Sequence, residues 1–133
     1  MRDYVIRLEA YGISRERARE LAWACRQYDD CRRKAAAIRR GEPVDGRRRG
    51  GNGAWHPKDP TGDAAMRAAD NRYARRVKAI EDSARAADHQ LWRYIIQNTC
   101  RGVGFDRLGA PCSHPYFSRS RRRFFIELDA RLD

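Results

Sequence analysis

The sequence predicts an all-α protein: a small helical bundle with long helices and a helix-turn-helix-like module at its carboxyl end. Three observations carry this. Apolar residues recur every 3.5 to ~3.6 residues through three long segments. Helix punctuation brackets those segments, with Ser14, Thr61 and Ser113 suited to cap helix starts and Gly12, Gly41 and Gly102 to stop helices. Glycine and proline concentrate in one stretch, residues 41–60, where no periodicity survives.

In chain order, Arg2 to Ala10 reads as a short helix with Tyr4, Leu8 and Tyr11 on one side, stopped by Gly12. Ser14 caps the next, with Ile13 as an apolar staple and Glu16 complementing the positive helix start. This helix is expected to run unbroken to about Arg40. Its inner face is Ala18, Leu21, Cys25, Tyr28, Cys31 or Arg32, Ala35 and Ile38, with Trp23 off that face. Residues 1–40 thus form an amino-terminal helical hairpin. Residues 41–60 read as a flexible Gly/Pro/Arg linker carrying Arg47, Arg48 and Arg49. They form either a basic arm along a nucleic-acid backbone or a solvated hinge, with Trp55 and His56 docking its end.

The third unit spans residues 61–133. Thr61 caps a helix whose apolar face runs through Met66, Ala69, Tyr73, Val77, Ile80, Ala84, Ala87, Leu91 and Tyr94 or Ile95, for about 35 residues. A helix that long in a small domain either breaks near Ala87-Asp88, with Asp88 capping a new helix from His89 to Cys100, or continues as a rod that meets a partner. Phe105 and Leu108 anchor a connector, residues 103–111, that holds one helical turn. Ser113 then caps the last helix, where Pro115 is tolerated because first-turn N–H groups have no helical acceptor. Phe117, Phe124, Leu128 and Leu132 stack on one face of it, and Phe125 widens the stripe. Ser118, Arg119 and Arg122 fall elsewhere on the circle, flanked by Arg121 and Arg123. Between residues 113 and 126 there are four arginines and no acid.

Charge narrows the function. The formal net charge is +11 with 35% charged residues, so the expected partner is an anion: nucleic acid first, an acidic protein surface second. Lys34, Lys58 and Lys78 are the only lysines, and arginine dominance suits bidentate contacts to phosphate and guanine. A GC-rich genome would also raise the Arg-to-Lys ratio, although not the net charge. Residues 88–132 run helix, short turn, helix, the order of a helix-turn-helix. Leu91, Ile95, Phe105, Leu108, Phe117, Phe124 and Leu128 would form its core. His114, Tyr116, Ser118, Arg119 and Arg122 would then reach a major groove, while Arg121 and Arg123 reach phosphates. Double-stranded DNA is the expected partner.

Other classes lack support in the sequence. Asp29-Asp30 and Glu81-Asp82 are adjacent pairs, whose side chains diverge by about 100° on a helix, and they read as solvated acids balancing nearby arginines. His56, His89 and His114 are scattered, and no nucleotide-loop, metalloprotease or nucleophile-elbow motif occurs, so no enzyme and no catalytic residue are expected. Cys25, Cys31, Cys100 and Cys112 lack CxxC spacing and read as free thiols of a reducing compartment. A zinc site from Cys100, Cys112 and His114 lacks the paired spacing of structural modules, so no metal or cofactor is expected. No signal peptide or apolar run of ~20 residues occurs, which predicts a soluble cytoplasmic protein without a membrane partner.

Three pieces of the chain resemble the RinA/ArpU-like transcriptional regulators of phages. They are the glycine-rich hinge ending in Asp59-Pro60-Thr61, the helix with Arg76-Val77-Lys78-Ala79-Ile80-Glu81, and the ending Pro111-Cys112-Ser113…Phe117…Arg121-Arg122-Arg123-Phe124-Phe125…Leu128. The resemblance covers roughly Pro57 to Leu132. It implies a phage or prophage protein acting in a bacterial cell, with a carboxyl-terminal module like the promoter-reading end of sigma factors. By that analogy Ser118, Arg119, Arg121, Arg122 and Arg123 lie on the recognition helix. The stretch from Gly102 to Ala110 is shorter than in such readers. Two other functions fit the same features. One is a phage-encoded inhibitor or adaptor of a host nucleic-acid machine, such as RNA polymerase or a guided nuclease (an anti-CRISPR). The other is a small terminase subunit. A second copy of the chain, in a homodimer, is a further candidate partner for the long helices; ring-shaped oligomers would favour the terminase subunit, and a monomer or dimer would count against it.

Overall fold

The computed structural model describes residues 8–41 and 71–132. The amino end of the first expected helix, most of the linker with Arg47, Arg48 and Arg49, and the Thr61 cap lie outside them. The described residues are helical, with no strand among them. Leu8 leads into a 3-10 turn, Glu9–Tyr11, closed by Gly12 at φ +81°. Six α-helices follow: α1 (Arg15–Arg26), α2 (Tyr28–Arg39), α3 (Arg72–Ala87), α4 (Trp92–Arg101), α5 (Phe105–Leu108) and α6 (His114–Arg131).

The caps follow the sequence signals. The Ser14 hydroxyl accepts from the Arg17 N–H, and the Ser113 hydroxyl from the Tyr116 N–H. Asn71 caps α3 by accepting from Ala74. The expected continuous helix from Ser14 to Arg40 is interrupted at Gln27, whose φ/ψ of −89°/3° leaves the helical region for one residue. Long-range bonds hold this break. The Arg76 guanidinium donates to the Gln27 side chain, and the Tyr28 hydroxyl donates to Glu81. Cys31, rather than Arg32, takes the inner position on α2. Of the two outcomes open for the following helix, the break is the one found. Asp88 leaves the helix at φ −161° and its Oδ1 accepts from the N–H groups of Gln90 and Leu91, 2.9 Å each.

α3 is central, with α6, α2 and α4 packed against it. α1 packs on α4 and α6. One core joins the two described stretches: Leu8, Ile13, Leu21, Cys25 and Tyr28 meet Ile80, Ala84, Leu91, Ile95, Phe117, Phe124, Phe125 and Leu128. Each large apolar side chain buried here stabilises the fold by roughly 1.5–3 kcal/mol. Arg17 of α1 fastens the end of α6. Its Nε lies 2.6 Å from Asp129 Oδ1, and its Nη2 donates to the carbonyls of Asp129 and Leu132. A cation there satisfies last-turn carbonyls and complements the helix dipole. No described helix is long and apolar enough to cross a membrane.

Candidate nucleic-acid interface

α6 separates its two sides as the spacing of its phenylalanines requires. Phe117, Phe124, Phe125 and Leu128 are buried, and Leu132 is half-buried. The ring of Phe105, from α5, lies 5.3 Å from that of Phe117 and 4.9 Å edge-on from that of His114. The connector is thereby pinned under the first turn of α6.

Asp88 fixes the same end. Besides capping the α3–α4 turn, its Oδ2 accepts from the Tyr116 hydroxyl at 2.9 Å and the Ser120 hydroxyl at 3.3 Å. Burial opposes the Asp88 charge, but the bonds from Tyr116, Leu91, Gln90 and Ser120 outweigh it and hold the carboxyl below its ordinary range. The same bond raises the Tyr116 phenol above its ordinary value, since ionisation would set two negative oxygens together.

Arg131 pairs with Glu127 at 2.6 Å, and the four arginines nearer the start of α6 divide into two pairs. Arg121 Nη1 donates to Asn98 Oδ1 at 2.9 Å, and Asn98 Nδ2 donates to the Val103 carbonyl at 2.9 Å, so Arg121 braces the α4–α5 junction. Arg123 Nη1 donates to the Ala87 carbonyl at 3.2 Å, one of the acceptors left over at the end of α3. Both residues, expected at phosphates, direct an N–H group into the fold. Arg119 and Arg122 make no ion pair or hydrogen bond with the described residues. Arg119 is exposed, its guanidinium 5.8 Å from the centre of the Tyr116 ring. Arg122 is half-buried and stands one turn along on the same outer face. His114 is exposed, Ser118 half-buried, and Tyr116 44% exposed with its hydroxyl proton given to Asp88. Arg47, Arg48 and Arg49 lie outside the described residues.

The adjacent acids are ion-paired. Asp29 is held by Arg101 at 2.8 Å, Asp30 by Arg33 and Lys34, Asp82 by Lys78 and Arg85, and Glu81 by Arg85. Arg101 keeps the Asp29 carboxyl below its ordinary range. Cys25, Cys31, Cys100 and Cys112 are free thiols. Among the described residues no three or more His, Cys, Asp or Glu side chains gather to hold a metal ion, Cys100, Cys112 and His114 included. The chain matches no protein-family model, no curated protein and no solved structure with which it was compared.

Proposed function

We propose that the protein is a transcriptional regulator that binds duplex DNA through the amino-terminal half of α6, in the cytoplasm of a bacterial cell and of phage origin. One observation carries the reading. Arg119 and Arg122 stand a turn apart on the outer face of a helix whose inner face is buried, and no described carboxylate claims either guanidinium. A helix rooted by aromatic residues and presenting arginines that no described carboxylate holds meets the steric and electrostatic needs of a major groove. Arg119 and Arg122, with Ser118, His114 and the Tyr116 ring, form the group that reads base edges. Arg121 and Arg123 act first as struts that set the angle of α6, and backbone contact is a second duty for them. α4, α5 and α6 supply the helix, turn and helix of the module.

The test is duplex binding measured by fluorescence anisotropy on a site obtained by selection from random DNA. The intact chain binds that site with affinity that falls steeply as salt rises. Arg122→Ala weakens the selected site by about 5- to 150-fold, the span of one bidentate Arg–guanine pair, and weakens random duplex much less. Equal weakening on both removes the base-reading claim. Absence of duplex binding below about 10 µM at physiological salt turns the reading toward a protein partner.

A further inference from the structure

A second cationic surface lies on α1 and shares no residue with the α6 face. Arg15, Arg19, Trp23 and Arg26 follow one another at spacings of four, four and three, which gathers them within about 80° of the helix circumference. They extend about 16 Å along the axis at ~1.5 Å per residue. All four are exposed, and Trp23 is 57% exposed, the most open large apolar side chain among the described residues. Arg15, Arg19 and Arg26 make no ion pair or hydrogen bond with the described residues. Arg17, on the other side of the same helix, makes several. Of the two acids of α1 that flank the stripe, Glu20 is held by Arg17 at 3.1 Å, which leaves Glu16 as the flanking α1 acid not so held.

The stripe meets, at Arg26, an open groove of about 660 Å³ that is lined also by Ala18, Ala22 and Phe125 and by the end of α4. We propose that this ridge and groove form a binding site for single-stranded nucleic acid, with Trp23 stacking on an unpaired base and Arg15, Arg19 and Arg26 on the phosphates.

Three physical points select that ligand. Guanidiniums at helical intervals, with no ion pair among the described residues, complement a chain of phosphates. An exposed indole set among them supplies the sequence-tolerant stacking platform that single-strand binders combine with a cationic track, and a duplex hides the base faces such a ring needs. A membrane surface is disfavoured, because the apolar face of α1, with Leu21 and Cys25, is already buried in the core and has none left for the lipid boundary.

The experiment uses the full chain with Trp55→Phe and Trp92→Phe, so that Trp23 is the sole indole. Titration with a dT or rU oligonucleotide at low salt is expected to quench Trp23 emission and to saturate. In the otherwise unchanged chain, Trp23→Ala weakens oligonucleotide binding about fivefold or more. Arg15→Gln with Arg19→Gln flattens the salt dependence. Arg122→Ala leaves both readouts unaltered, so failure of the α6 reading and failure of this one are distinguishable. Three results would each overturn the proposal: no quenching up to about 100 µM, unchanged oligonucleotide affinity in Trp23→Ala, or polyglutamate of equal charge binding with the same affinity and quenching. If Trp23→Ala does not fold, the titration of the single-indole protein decides alone.

Discussion

At Asp88 one carboxylate accepts from two backbone N–H groups of its own turn and from two hydroxyls of α6. Its first role is legible in the sequence, because an aspartate inside a periodic stretch too long for one helix of a small domain reads as a cap. Its second is not. Tyr116 and Ser120 are 28 and 32 residues away, and no local spacing reveals which polar groups a fold will bring together. The same holds for Arg121 and Arg123, whose charge suggested phosphates and which donate to an amide oxygen and a helix-end carbonyl. Removing the cap and two hydrogen bonds together, Asp88→Ala costs about 2 kcal/mol, seen as a lower urea midpoint. The pH dependence has a fixed sign. Asp88 and Asp29 are both held below the ordinary carboxylate range, so the folded chain releases their protons more readily than the unfolded one. Their contribution is complete above pH ~4 and is lost as pH falls through that value and below it. The thermal midpoint should hold from pH 7 to about 5 and drop below ~4, and Asp88→Asn should make the drop shallower.

Among elements, α6 was the most legible, because the intervals of its phenylalanines state which side is buried. The caps at Ser14 and Ser113 were equally plain. The break at Gln27 was not, since apolar spacing passes through it unaltered and the bonds that hold it come from Arg76 and Glu81 on α3. The stop at Gly102 combines both kinds of information. Its φ of +71° is costly for any side chain, while a β-carbon there would meet nothing within 4 Å. Gly102→Ala should therefore destabilise by about 1 kcal/mol from backbone strain alone. Gly104, equally open but at φ −66°, serves as control, and Gly104→Ala should change stability by less than about 0.5 kcal/mol. Chemical denaturation of the two variants checks both. A comparable loss in Gly104→Ala would mean that something other than backbone conformation limits this connector.

Across the whole molecule, the two described stretches close over one core, with α3 as the helix on which α2, α4 and α6 all rest. The glycine-rich segment divides the sequence, although 133 residues are enough for only one domain. The shared core arises because neither amphipathic half can bury its apolar face alone. What charge alone conveys is limited in a similar way. A net +11 implies an anionic partner, but only the fold sorts cations held in ion pairs, such as Arg17 and Arg101, from those that no described carboxylate holds, such as Arg119 and Arg122. That sorting is the central claim, and arginine side-chain NMR tests it most directly. On adding duplex DNA, the Nε–H resonances of Arg119 and Arg122 should shift and broaden, while those of Arg17 and Arg101 keep their positions. Shifts of equal size at all four, or none at Arg119 and Arg122 while DNA is bound, would contradict the account.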